Sequence, residues 1–290
     1  MVIREATDAD FRGINELINS EYYVHRHLDW RSPLDWLGSK PFLIAECDSK
    51  VVGVLSLPPD PPQVYWLRLF TVAQGVDRKS VFHSMLRKAL TDIGDLETCI
   101  IPALALHNWF ASLLIENGFQ THQDIIVLEW TLQIPNTGRA MPGYFIRQMD
   151  ESDLGNVRAL DNSAFEPIWR LSKDAMAMAF HQSNYATVCC FENDLVGYQI
   201  STGTFSTTHL ARLAVSPKYQ RRHVARFILG DLLMRISHTN VDRLTVNTQS
   251  TNTASLALYK SMGFERTMET FPVFQYVVRT HENINPILGI

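Results

Sequence analysis

The chain is poor in the residues that would make it a metal, disulfide or membrane protein. Its four cysteines, Cys47, Cys99, Cys189 and Cys190, include no C-x-x-C pair, so no disulfide framework, redox motif or metal site is expected. No apolar run approaches the roughly 20 residues that span a bilayer. The start, Met1-Val2-Ile3-Arg4-Glu5, lacks the apolar core of a signal peptide, and a reducing cytoplasm is the expected location. An excess of one charge is also missing. With 26 basic and 30 acidic residues the net charge is -4, which offers no overall attraction to nucleic acid or to an anionic membrane; neither is expected as a partner. What remains is ordinary globular material: 290 residues, 46% hydrophobic, enough for a sizeable core and more naturally two domains than one.

One stretch stands out against this background. Leu210 to Val215 reads as an apolar strand, Ser216-Pro217-Lys218-Tyr219-Gln220 as a tight loop, and the residues from about Arg222 to Ser237 as a helix. A helix N-terminus entered through such a loop gathers unpaired N–H groups and the positive end of the helix dipole, and Arg221, Arg222 and Arg226 add full charges beside them. The loop predicts a ligand that carries phosphate.

These residues resemble a known family. Gln220-Arg221-Arg222-His223-Val224-Ala225 looks like the Gln/Arg-x-x-Gly-x-Gly/Ala pyrophosphate loop of the GNAT superfamily of acetyl-CoA-dependent N-acyltransferases, with His223 where glycine usually stands. Downstream, the run from Asn252 through Leu258-Tyr259 to Gly263-Phe264 is similar to the family's Asn-x-x-Ala-x-x-Leu-Tyr-x-x-x-Gly-Phe helix. The ordered pair implies an α/β fold, a mixed, mostly antiparallel twisted sheet flanked by helices. It implies acetyl-CoA as co-substrate and an amine, on a small molecule or a peptide, as acceptor.

The chain also repeats. Ile3-Arg4 with Asp10 recurs as Ile146-Arg147 with Asp153, Val51-Val52-Gly53 as Leu195-Val196-Gly197, and Asn117-Gly118-Phe119 as Met262-Gly263-Phe264. The offset stays between 143 and 145 positions throughout. Two tandem GNAT-like domains are therefore expected, over residues 1–133 and 144–290, joined by a Pro- and Gly-rich linker at 134–143 short enough for them to pack together. In each copy an opening strand leads to a helix, over Asp8 to Leu17 and Ser152 to Leu160, with Thr7 or Asp8 and then Ser152 as N-cap candidates. Paired strands follow at Phe42 to Cys47 with Val51 to Leu57, and at Ala186 to Phe191 with Leu195 to Ser201. A strand at Arg243 to Val246, a helix at Ala254 to Met262 and a closing strand at Phe271 to Val278 complete the second copy.

In the first copy the loop position reads Gln74-Gly75-Val76-Asp77-Arg78-Lys79-Ser80, which puts a carboxylate where phosphate would sit, and Leu114 matches Tyr259. A degenerate, structural or substrate-shaping first domain is the expectation. In the second, the resemblance assigns Leu213, Ala214 and Val215 to backbone pairing with the pantetheine arm and the N–H groups from Arg221 through Arg222, His223, Val224 and Ala225 to Arg226 to the pyrophosphate. Asn252 is assigned to the cofactor arm, with helix N-capping as its other reading. Tyr259 is the expected acid that protonates the departing thiolate. A base is poorly marked: Asn247 stands where some members carry glutamate, and His209 occupies the other family position.

Three further features carry little weight in the sequence. Glu166 could attract an amine, His25, His27 and Asp29 read as polar surface rather than metal ligands, and Met176 and Met178 read as core. The leading reading is an acetyl-CoA-dependent N-acyltransferase acting by direct transfer. The alternatives are a non-catalytic acyl-CoA-binding or interaction module, and a tandem synthase of the mycothiol-synthase type.

Overall fold

The computed structural model describes residues 1–133 and 141–277, so most of the expected linker lies outside the described residues. The first half runs β1 (Val2–Glu5), α1 (Phe11–Ser20), β2 (Val24–Arg26), β3 (Phe42–Cys47), β4 (Lys50–Ser56), β5 (Leu69–Val72), α2 (Arg78–Ile93), β6 (Pro102–Leu104), α3 (Asn108–Glu116) and β7 (Phe119–Trp130). The second runs β8 (Tyr144–Gln148), α4 (Leu154–Ala164), α5 (Lys173–His181), β9 (Tyr185–Phe191), β10 (Asp194–Gly203), β11 (Thr207–Val215), α6 (Val224–Ser237), β12 (Arg243–Gln249), α7 (Thr253–Ser261) and β13 (Phe264–Tyr276). The element order is nearly the same twice.

The repeated residues make the same contacts in both halves. Arg4 grips Asp10 with two hydrogen bonds of 2.8 Å, and Asp10 accepts the N–H of Thr7 at 2.8 Å. Arg147 grips Asp153 at 2.6 and 2.7 Å, and Asp153 accepts the N–H of Asp150 at 2.9 Å. Each aspartate is buried at the start of a helix, and the arginine holds its carboxyl below the usual carboxylate range, chiefly through these hydrogen bonds. The caps are thus Thr7 and Asp150, the latter in place of the expected Ser152, whose N–H it accepts. The repeated glycines also share a reason. A Cβ on Gly53 would lie 2.9 Å from Val81 on α2, and one on Gly197 2.7 Å from Ile228 on α6, so a bare backbone lets each helix seat on its sheet.

The sheets depart from a simple tandem. Five strands are ordered β1-β3-β4-β5-β2 and eight are ordered β6-β13-β7-β12-β11-β10-β9-β8. The last strand of the first half, β7, is inserted between β12 and β13, while β13 reaches across to β6. Each half therefore lends its closing strand to the other, and β13 is far longer than the expected Phe271 to Val278, whose last residue lies outside the described region. Ile126, Leu128 and Trp130 of β7 fill the core beneath α6 and α7, beside Leu229, Leu233 and Tyr259.

The His25, His27 and Asp29 cluster is interior and not the polar surface the sequence suggested. His25 is 1% exposed, stacked on Phe110 at 3.8 Å, and shares a 3.0 Å hydrogen bond with the carbonyl of Leu67. Burial pushes its pKa down to about 4. His27 stacks on Trp66, and Asp29 forms a buried ion pair with Arg68, whose guanidinium also lies over Trp36. Aromatic faces and an internal counter-ion make the burial tolerable. Met176 is fully buried, in the cluster that joins α4 and α5 to the sheet, as expected, whereas Met178 is only half-buried and outside the core clusters of the described residues.

Candidate active site

The site begins where β11 and β12 part. They pair in parallel from Thr207 to Leu210 against Arg243 to Val246, and past that point no pairing joins them. On its other side β11 stays bonded to β10, with a bulge at Ala211 where the register shifts between Ile200 and Ser201. Because the N–H of Ser216 points to Val196 of β10, alternation sends those of Ala214 and Arg212 the same way and turns those of Leu213 and Val215 toward the open side. A free strand edge faces the gap.

That gap is a cleft of about 980 Å³. Leu213, Ala214, Val215, Arg221, His223, Val224, Ala225, Arg226, Asn252 and Tyr259 all line it. The sequence motifs, up to 46 positions apart between Leu213 and Tyr259, converge on one cavity because α6 and α7 flank the same splay. Arg222 and His209 are not brought there. The guanidinium of Arg222 lies 5.5 Å from the ring centroid of Tyr219, and His209 shares a 2.9 Å hydrogen bond with Thr245 on the neighbouring strand. Burial lowers the pKa of His209 and keeps its imidazole neutral.

At the mouth of the cleft α6 presents an N-terminus with no side-chain cap. Its N-cap, His223, has φ 64° and ψ 10°, the left-handed conformation that glycine enters freely, so the histidine carries the backbone of the residue it replaces. Arg221 is also left-handed, at φ 60°. For His223→Gly we expect a gain of about 0.5–1 kcal/mol in unfolding free energy, the relief of roughly 1–2 kcal/mol of left-handed strain less the entropy of a glycine. Urea unfolding measures it, and a loss of stability would contradict the strain. Arg226 is anchored by a 2.8 Å hydrogen bond to Ser261 on α7.

Deeper in, Asn252 caps α7, its Oδ1 accepting the N–H of Ser255 at 3.1 Å, and its side chain still borders the cleft. Tyr259 is 5% exposed, packs against Phe264 and lines both this cleft and an adjoining cavity. Burial raises its pKa well above the ordinary phenol value, which keeps it protonated. Below lies a network that local sequence patterns could not reveal. Tyr198 and Arg212 both donate to fully buried Asp161, Asp161 accepts the N–H of Leu171 at 3.0 Å, and Arg212 also donates to the carbonyl of Trp169 at 2.9 Å. It pins the segment from Phe165 to Leu171, which includes exposed Glu166, along one side of the cleft.

Residues 154–275 match the family described as the acetyltransferase (GNAT) domain. This half of the chain is a GNAT acetyltransferase domain. Among curated proteins the chain is similar to the ribosomal protein bS18-alanine N-acetyltransferase of Salmonella typhimurium, 29% identical over 73 residues, which is 25% of this chain and 49% of that protein. The chain spans about half the length of the curated relatives it matches. In fold, a GCN5-related N-acetyltransferase from Sphaerobacter thermophilus is similar over 96% of both chains, at 14% identity and a TM-score of 0.61. A tandem GNAT protein from the clavulanic acid biosynthesis pathway is similar over 94% of this chain and 97% of that one, at 13% identity and a TM-score of 0.60. The GNAT fold thus extends across both halves. No described helix is long and apolar enough to cross a membrane, and no described cluster of His, Cys, Asp or Glu could hold a metal ion.

Proposed function

We propose that the chain is an acetyl-CoA-dependent N-acyltransferase whose GNAT half carries the chemistry and whose first half is a degenerate copy. The observation that carries the reading is the convergence of a free β11 edge, an uncapped α6 N-terminus and a protonated, buried tyrosine in one cleft. Acetyl-CoA, once bound, supplies the acetyl group as a thioester. The N–H groups of Leu213 and Val215 would pair with its amide-bearing arm as an added strand, and the α6 N-terminus with Arg221 and Arg226 would hold its phosphates. Tyr259 would donate a proton to the departing thiolate, whose conjugate acid has a pKa of about 8.5.

Direct transfer fits the lining, since none of the four cysteines borders the cleft. The amine must be uncharged to attack. With His209 turned aside and Asn247 unable to accept a proton, neither family position supplies a base, and water or Glu166 on the lining would take the proton.

Two features support degeneracy of the first half. The edge of β5 at Leu69 to Thr71, which corresponds to Arg212 to Ala214 on β11, is already paired with β2. Asp77 caps α2 by accepting the N–H groups of Lys79 and Ser80, at 3.3 and 3.2 Å, so the donors that would meet phosphate are used internally.

The reading is tested by thermal shift and thiol release. Acetyl-CoA at one hundred times its Kd should stabilise the protein by about 2.7 kcal/mol. Thiol release should then require an amine, and no shift with any acyl-CoA would overturn the assignment.

A further inference from the structure

Beside the cofactor cleft lies a second cavity of about 300 Å³, and the two share Phe165, Trp169, Leu213 and Tyr259. Its volume admits a small molecule and excludes a folded chain. Asp29, Asp60 and Arg68 of the first half border it, as do Arg170 and Arg212 of the second; His27 borders it too, but burial keeps that imidazole uncharged. The charges pair unevenly. Arg68 is matched by Asp29 in a buried ion pair, and Asp60 adds its field to the same guanidinium, so the first-half wall sets two carboxylates against one cation. Arg212 is matched by fully buried Asp161, which leaves Arg170 as the excess positive charge of the second-half wall.

Arg170 is fixed in place but not engaged by a counter-ion. It is half-buried, its Nε donates to the carbonyl of Phe165 at 3.0 Å and its backbone N–H to that of Pro167 at 3.3 Å. The segment that holds it is the one pinned by Asp161 and Arg212. Among the described residues no carboxylate pairs with its guanidinium, not even Glu166 four positions earlier, and its outer nitrogens have no hydrogen-bond partner. A planar fork anchored at Nε with its outer donors unused has the geometry that takes a carboxylate in two parallel hydrogen bonds.

We propose that the second cavity is the acceptor site and that the acceptor is a free amino acid, its carboxylate held by Arg170 and its amine directed to Tyr259 where the two cavities join. A molecule with one charge of each sign matches walls of opposite excess charge. This rests on the N-acyltransferase reading. Arg170 borders only the second cavity, so its effects belong to the acceptor and not to acetyl-CoA.

The test measures thiol release with glycine, alanine, leucine, phenylalanine, glutamate and lysine, each beside its C-terminal amide, and with a peptide that begins with alanine, for the natural chain and for Arg170→Gln and Arg170→Lys. At least one free acid should show a KM about ten- to a hundredfold below that of its amide, the yield of hydrogen bonds to a charged partner. Arg170→Gln should raise that KM about tenfold or more and leave the values for the amide and for acetyl-CoA unchanged. Arg170→Lys, which keeps the charge and loses the fork, should recover part of the loss. Should Arg170→Gln melt early, Arg170→Lys and the acid–amide pairs still decide. Amides or the peptide used as well as the acids, or an unchanged KM in a well-folded Arg170→Gln, would overturn the proposal. So would the absence of thiol release with every acid while acetyl-CoA still stabilises the protein; loss of that stabilisation is instead the failure of the transferase reading.

Discussion

Replacement of Tyr259 by phenylalanine is expected to lower kcat by roughly 10²–10⁴-fold, the usual yield of a positioned general acid, and to leave the Kd for acetyl-CoA nearly unchanged. The phenol is placed by packing alone: its ring is held by Phe264 and the core beneath α7, and burial is the whole cause of its raised pKa. Removing the oxygen therefore changes no cap, ion pair or strand pairing, and the variant should melt like the parent. Because the folded pKa lies above the ordinary phenol value of about 10, the proton is retained throughout the neutral range. No alkaline loss of rate below about pH 10 should then trace to this residue. Steady-state thiol release, set beside calorimetric acetyl-CoA binding, measures both effects. An unaltered kcat would remove Tyr259 from the chemistry and leave it as a wall of the cleft.

Residues 1–133 and 141–290 expressed as separate chains are each expected to fail as cooperative folds and to regain one only together. The exchange of closing strands is the reason. Alone, the first piece keeps the 12-residue β7 with neither β12 nor β13 to pair it, and β6 loses its only strand partner among the described residues. The second piece loses β7 from the middle of its sheet, and with it Ile126, Leu128 and Trp130 from the core under α6 and α7. Long unpaired edges of this kind recruit other chains. Aggregation of each piece and a soluble one-to-one complex on co-expression are the outcomes to look for, by gel filtration and a thermal melt. A cooperative melt from either piece alone would show that the exchange is dispensable.

The sequence reading reached furthest where the signal is local. Glycine-phenylalanine turns, the Arg–Asp clamps and the α6 loop are short-range patterns, and the near-constant offset between halves made them mutually supporting. The strand exchange had no such signal, since β7 and β13 read as closing strands whichever sheet receives them. Asp161 and Arg212 were invisible for a related reason. An aspartate on a helix and an arginine on a strand 51 positions apart look solvated until the fold joins them. Likewise His25 and His27 read as surface because nothing nearby in sequence announces Phe110 and Trp66 as their stacking partners. His223 shows the opposite limit: its departure from glycine was plain, but only the backbone reveals that the left-handed turn survives it.

The strand β2 leaves a mark on what this chain could become. In the first half the slot beside β5 is closed by a stretch of main chain, and the helix beyond it is closed by Asp77. Opening it would take both the excision of a paired segment and the loss of a carboxylate, and either change alone would leave the slot blocked. A ligand that adds itself as a strand beside β11 finds no matching free edge on β5.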